Sequence, residues 1–277
     1  MTNPTRFAVI GPGVMGEAII AGLLRKGIAE PQGITAAGPR TGRDQELVER
    51  YHIRFAANSE SIKNADVVIL SVKPQRLALV KKDLFGKIPA EALVISIVAG
   101  AAIRGLQSGL DHKAVVRSMP NTPARIGEGI TVWTAAPEVT SAQKALAEKI
   151  LSALGEQVCV DDESYLDMAT ALSGTGPAYV FLFMEAMIDA GVHLGFPRRL
   201  AEQLVEQTVR GSADYYISRQ EHAASLRNEV TSPGGTSAEA LYYLEKAGFR
   251  TAISRAVWAA YERSQSLGAG REGQKPE

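Results

Sequence analysis

The sequence predicts an α/β protein, with an N-terminal Rossmann-type dinucleotide-binding domain followed by an all-α domain. Three observations predict this. Short β-rich runs alternate with helical stretches up to about residue 160, a glycine-rich run follows the first strand, and strand signals stop after Val160. Strands alternating with helices imply βαβ units and a mostly parallel sheet. The expected domains are therefore 1–160 and 161–277, with 268–277 as a Gly-rich polar tail expected to fray.

The strand candidates are 7–10, 34–37, 67–71, 93–97, 114–117, 130–134 and 157–160, with helical patterns at 15–26 and 142–154 among them. The last strands lie close together without long helices, so an antiparallel edge is expected there. After residue 160, the stretches 164–172, 177–194, 197–217, 222–230, 237–247 and 250–267 read as helices. Pro177 and Pro197 suit first-turn positions, where a missing N–H costs nothing. Gly195 and Gly248 suit helix C-terminal caps.

The first strand runs into Gly11-Pro12-Gly13-Val14-Met15-Gly16, a G-x-G-x-x-G opening a helix. Gly11 permits the tight turn, Gly13 lets a pyrophosphate approach the backbone, and Gly16 lets the helix pack on the strand. The helix start adds N–H donors and a favourable dipole for the anion. The motif alone is weak, but its place between strand and helix favours a dinucleotide over a plain glycine turn. An NAD site carries Asp or Glu at the end of the second strand. Here Ala37 leads into Gly38-Pro39-Arg40-Thr41, with Arg43 close behind and no acid at the strand end. Arg40 can pair with a 2′-phosphate, and Thr41 can donate its hydroxyl. NADPH is the expected cofactor and NADH the alternative. The bland alternative is that Arg40 and Arg43 are ordinary surface charges. Ser71-Val72-Lys73-Pro74 and Val98-Ala99-Gly100 follow two further strand ends, where ligands of open α/β sheets collect, so both loops are expected to touch the cofactor.

Composition narrows the function class. Thirty basic and thirty acidic residues cancel and no basic run occurs, which gives no support for nucleic-acid or membrane-surface binding. Cys159, the one cysteine, cannot form an internal disulfide and reads as a small buried hydrophobe in an apolar stretch. Four scattered histidines lack metal-ligand spacing, so no metal is expected. The first residues lack the apolar core of a signal peptide, which makes the cytoplasm the expected location. The most apolar later stretch, 168–187, is interrupted by Ser173-Gly174-Thr175-Gly176-Pro177 and contains Glu185. It is expected to be a broken core helix and not a membrane span. Tyr179-Val180-Phe181-Leu182-Phe183-Met184 is apolar on more than one face and needs cover on all sides. A subunit interface is the expected cover, with a large intrachain interface as the alternative.

Three segments are rich in turn residues: 118–123 (Ser-Met-Pro-Asn-Thr-Pro), 172–179, and 230–237 (Val-Thr-Ser-Pro-Gly-Gly-Thr-Ser). In the last, Thr236-Ser237-Ala238-Glu239 is a capping-box pattern with Thr236 as N-cap and Glu239 at N3. A helix beginning straight after two glycines makes a small anion site of exposed N–H groups, fit for a carboxylate. With the Gly11–Gly16 loop, these segments resemble the pyrroline-5-carboxylate reductase family over about residues 6–267. The 230–245 stretch is the most specific piece. One departure is Ser237, where the family pattern has Thr: the hydroxyl is kept and the methyl is lost.

The resemblance implies reduction of L-1-pyrroline-5-carboxylate to L-proline by NAD(P)H, the last step of proline biosynthesis. A protonated cyclic imine is already a good hydride acceptor, so holding it matters more than a strong acid. Ser237 is the candidate catalytic residue, as a hydrogen-bonding partner of the imine nitrogen. Ser232, Gly234, Gly235, Thr236 and Ser237 form the candidate substrate site. Glu163 is a further candidate for contact with the ring nitrogen, with a first-turn helix acid as the bland alternative. By the same resemblance Asn58 is expected at the cofactor ribose, and the helical half is expected to make a dimerisation domain. The implied homo-oligomer is a dimer, with a pentamer of dimers as the larger alternative. A β-hydroxyacid dehydrogenase shares this two-domain plan but uses a lysine early in the helical domain. The chain has no lysine between Lys149 and Lys246. A non-catalytic NADPH sensor would have no use for the carboxylate site.

Overall fold

The computed structural model describes residues 4–39 and 42–268. Within them, contacts gather the chain into two compact units. One runs to Thr175 and takes in the chain from Ala259 onward; the other is Gly176–Trp258.

The first unit is built on one sheet: β1 (Phe7–Ile10), β2 (Ile34–Ala37), β3 (Arg54–Ala56), β4 (Val67–Leu70), β5 (Leu93–Ser96), β6 (Val115–Met119), β7 (Gly129–Ala135) and β8 (Gly155–Cys159). The strand order is β3-β2-β1-β4-β5-β6-β7-β8. Neighbours are parallel except β6 and β7, where Ser118 faces Trp133 in an antiparallel register. That pair is the expected antiparallel element, and β8 returns parallel to β7 outside it. Strands β1, β2, β4 and β5 are buried along their whole length, so both faces are covered and their sequences read as unbroken apolar runs. Strand β3 carries no strand signal in the sequence, because it is a three-residue edge strand that begins at exposed Arg54 and offers no apolar run. The opposite edge corrects the reading of Cys159. It is exposed, because β8 is an edge strand and, among the described residues, no further strand pairs with its outer side.

Helices α1 (Val14–Arg25), α2 (Arg43–Tyr51), α3 (Asn58–Ser61), α4 (Pro74–Leu84), α5 (Ile103–Leu110), α6 (Ser141–Leu151) and α7 (Tyr165–Ala169) complete this unit, together with the end of α12 described below. Ile19, Ile20 and Leu23 of α1 lie in one core with Phe7, Ile34 and Ile69. α6 starts with a capping box, Thr140 Oγ1 accepting from the Gln143 N–H at 3.2 Å.

A buried arginine ties the sheet to the helices around it. Arg117 of β6 is 6% exposed at its side chain, reaching Glu163 at 3.0 Å and Asp167 at 2.8 Å. Glu163 Oε1 also accepts the Ile103 N–H at 2.8 Å, at the start of α5. Asp167 Oδ1 also accepts from Ser264 Oγ at 2.8 Å.

The second unit is helical: α8 (Gly176–His193), α9 (Arg198–Arg219), α10 (Ala223–Glu229), α11 (Thr236–Lys246) and the first part of α12 (Phe249–Gly268). Gly195 and Gly248 take positive φ just past α8 and α11, as their capping positions require. Pro197 precedes α9 as its N-cap, one position earlier than expected. The apolar stretch is broken as expected, but slightly earlier in the chain, by a π-turn over Thr170–Gly174 closed by the Thr175 N–H donating to Thr170 O at 2.8 Å. The expectation of a core helix fails: none of the residues of α8 is buried, and Val180, Phe181, Leu182 and Phe183 are between 41% and 66% exposed. By length and composition alone, Tyr165–His193 would suffice to cross a membrane.

Replacing Arg117 by Met strands two carboxylates without a counter-charge. We expect a loss of about 3 kcal/mol in chemical denaturation, the lower end of the range for a broken buried pair, because Glu163 keeps some access to water. A loss under about 0.5 kcal/mol, the level of an ordinary surface substitution, would show that the cluster does not hold the unit together.

Candidate functional site

The glycine turn is shaped by how closely it approaches the next strand. Gly11 has φ +82°, and a Cβ there would lie 2.4 Å from Val72 Cγ1 and 3.0 Å from the Val72 backbone. Its N–H donates to Ala37 O at 2.7 Å. Gly16 is pressed against Ser71, where a Cβ would sit 2.6 Å from the hydroxyl oxygen. That hydroxyl donates to the carbonyls of Ile10 and Gly11, at 3.1 and 2.8 Å. Gly13 is the opposite case. It is the N-cap of α1, and a Cβ on it would meet nothing within 4 Å. No side chain caps α1, so its first-turn N–H groups face an open flank.

That flank borders a cavity of about 670 Å³. Of the residues expected at the cofactor, Gly11, Pro12, Gly13, Asn58, Ser71, Val72 and Lys73 line it. The others lie outside the lining. Val14 and Met15 sit in the first turn of α1, Gly16 lies under Ser71, and Pro74 begins α4. Val98 is buried, with Ala99 beside it, and Gly100 packs on the end of α12, where a Cβ would lie 2.7 Å from the Gly268 nitrogen. Arg40 and Thr41 lie outside the described residues. The sequence reading missed the α4 face formed by Arg76, Leu79, Val80 and Asp83, together with Phe55 and Asp44. The signal was present as i, i+3, i+4, i+7 spacing directly after Lys73-Pro74, with Leu79 left 59% exposed.

Beside the cavity, Glu17 of α1 accepts from Arg43, from Arg50 at 2.8 Å and from Tyr51 at 3.0 Å. Arg43 and Arg50 also reach Glu46, at 2.6 and 2.9 Å. Burial pushes the Glu17 carboxyl upward, but the Tyr51 hydroxyl and the two guanidinium groups outweigh it and hold the group below its ordinary value.

In the helical unit, Ser232-Pro233-Gly234-Gly235 is a tight turn. The Gly235 N–H donates to Ser232 O at 3.0 Å, and Gly234 has φ +69°, as type II geometry requires after proline. The expected capping box is absent. Helix α11 begins at Thr236 with Gly235 as its N-cap, and no side chain caps it. The second glycine is already extended there, and its carbonyl accepts the Glu239 N–H at 3.3 Å, which shifts Thr236 into the helix. Thr236 and Ser237 therefore stand in an uncapped first turn beside the glycine turn. Glu163 belongs to the other unit, with one oxygen held by Ile103 and Arg117.

Gly16→Ala drives a methyl into Ser71 Oγ and the Gly11 carbonyl. Overpacking of this kind is worth about a tenfold loss of dinucleotide affinity by calorimetric titration. Unchanged affinity would mean that the turn does not need this close approach.

Comparisons with known proteins agree over most of the chain. Residues 163–267 match the pyrroline-5-carboxylate reductase dimerisation family, and residues 6–100 match the family described as NADP oxidoreductase, coenzyme F420-dependent. The pyrroline-5-carboxylate reductase of Synechocystis is 43% identical over 95% of this chain and 98% of its own. That of Arabidopsis thaliana is 37% identical, over 95% of each. Among solved structures, Plasmodium falciparum pyrroline carboxylate reductase with NADP bound superposes with a TM-score of 0.88, at 32% identity over 95% of this chain and 98% of that one. On sequence and fold together, the chain belongs to the pyrroline-5-carboxylate reductase family.

Proposed function

We propose that this protein is a pyrroline-5-carboxylate reductase, converting L-1-pyrroline-5-carboxylate to L-proline with a nicotinamide dinucleotide, NADPH in preference to NADH. The observation that carries the reading is likeness to reductases of that name over 95% of the chain. Gly13 supplies the test of fit: its open flank and the uncapped start of α1 leave room and N–H donors for a diphosphate.

When bound, the dihydronicotinamide supplies the hydride. The chain's own part is to bind and orient. Gly11, Pro12, Gly13, Val14, Met15 and Gly16 hold the diphosphate, and Asn58 takes the adenosine ribose. Ser71, Val72, Lys73 and Pro74, with Val98, Ala99 and Gly100, shape the rest of the cofactor site. Arg40 and Thr41 take the 2′-phosphate. Ser232, Gly234, Gly235 and Thr236 hold the substrate carboxylate against the first-turn N–H groups of α11. Ser237 hydrogen-bonds the imine nitrogen. That nitrogen is protonated before the carbon accepts hydride, so no buried acid of raised pKa is required. Glu163 enters only through Oε2, because Oε1 is already engaged.

The helical part, 161–277 in this proposal, joins copies of the chain, and 1–160 binds the cofactor. The exposed apolar side chains of α8 are what a second copy would cover, which supports a dimer, with a decamer as the larger assembly. We place the protein in the cytoplasm.

Incubating the protein with pyrroline-5-carboxylate and NADPH is expected to consume the dihydronicotinamide absorbance and yield proline. Cofactor binding without turnover would overturn the reading. Ser237→Ala is expected to lower kcat/KM about tenfold or more, the value of one hydrogen bond to a charged group, with cofactor affinity unchanged. An unaltered kcat/KM would remove Ser237 from the site.

A further inference from the structure

Arg43 opens α2 and lines the cavity together with Gly38 and Pro39 at the end of β2. It is the member of the Glu17 cluster that does so. Arg50, Tyr51 and Glu46 are absent from the lining. Two carboxylates on different helices grip its guanidinium, Glu17 on α1 and Glu46 on α2. These contacts use Nη1 and Nη2 and leave three of the five guanidinium N–H donors for an incoming anion.

Resting on the NADPH reading above, we propose that Glu17 is a positioning residue, which fixes Arg43 as a specificity-determining cation for a phosphate on the adenosine ribose, in addition to the Arg40 and Thr41 assigned to that phosphate above. A tie between two helices would be complete with Arg50 and Tyr51 alone. The third donor to Glu17 comes instead from the residue at the cavity wall. Glu17 is suited to the task because its side chain is 12% exposed and its carboxylate is held by three donors from α2, so it stays charged and fixed. Arginine on a long flexible stem discriminates only if its planar fork is pre-set. Here the fork is set from the helix that would also hold the diphosphate, so both phosphate contacts share one rigid support. The sign of the effect separates positioning from plain charge. Removing one carboxylate beside a polyanion site should tighten every phosphate ligand alike. Loss of positioning weakens the 2′-phosphate selectively.

The test uses the full chain and two probes that lack nicotinamide, adenosine 2′,5′-bisphosphate and adenosine 5′-monophosphate, with dissociation constants from calorimetry. The unmodified protein is expected to prefer the bisphosphate by about tenfold or more. Arg43→Ala and Glu17→Gln should each cut that preference by about threefold to tenfold, and the double variant by no more than the larger single effect. Tyr51→Phe removes a donor to the same carboxylate without touching Arg43 and should leave the preference in place. If Glu17→Gln fails to fold, Arg43→Lys, which keeps the charge but not the fork, must show the same loss. An unchanged ratio in Glu17→Gln, or equal tightening of both probes, overturns the positioning role. An unchanged ratio in Arg43→Ala overturns the role of Arg43. No preference in the unmodified protein would instead bring down the NADPH reading itself.

Discussion

The close approach of Gly11 and Gly16 to the Ser71–Val72 backbone is the constraint on which the rest of the cofactor end depends. With 2.4 Å between a hypothetical Gly11 Cβ and Val72, no side chain fits, and the turn can lie directly across the end of β4. Ser71 then locks the turn through the Ile10 and Gly11 carbonyls. Because β1 pairs with both β2 and β4, this contact places the start of α1 at the carboxyl ends of the central strands, where residues following β2, β3 and β4 also line the cavity. The cleft is a consequence of that packing.

The chemistry asked of such a protein is modest, and the structure is built accordingly. Most of its strong electrostatic groups hold elements in place. Arg117 joins β6 to the start of α5, to α7 and to the end of α12 through Glu163, Asp167 and Ser264. Glu17 joins α1 to α2. The turn proposed for the substrate offers backbone N–H groups and neutral hydroxyls, which suit an acceptor that arrives already activated. Positioning supplies much of the rate in such reactions.

Much of this was legible in the sequence, for identifiable reasons. Strands buried on both faces leave continuous apolar runs, and β1 and β2 were read to the residue. The glycine spacing marked the turn because sterics allow no other residue at Gly11. What escaped depends on neighbours distant in sequence. Strand β3 is held at the edge by its pairing with β2, and Cys159 is exposed because β8 is the other edge strand among the described residues. The Thr236 capping pattern was overridden by Gly235, which reached the N-cap geometry first. The Arg43–Glu17 contact spans 26 residues and two helices, and no local pattern announces it. The α4 face at the cavity was written in plain helical spacing but had no partner in the sequence to mark it as a wall.

The central claim is direct hydride delivery from a dinucleotide to the carbon of a cyclic C=N bond. Turnover with NADPH carrying deuterium at both C4 positions of the nicotinamide tests it most directly, with the product analysed by mass spectrometry and NMR. The account predicts proline bearing a single deuterium on the carbon that had been doubly bonded to nitrogen. Proline formed without deuterium, or labelled at another carbon, would contradict it.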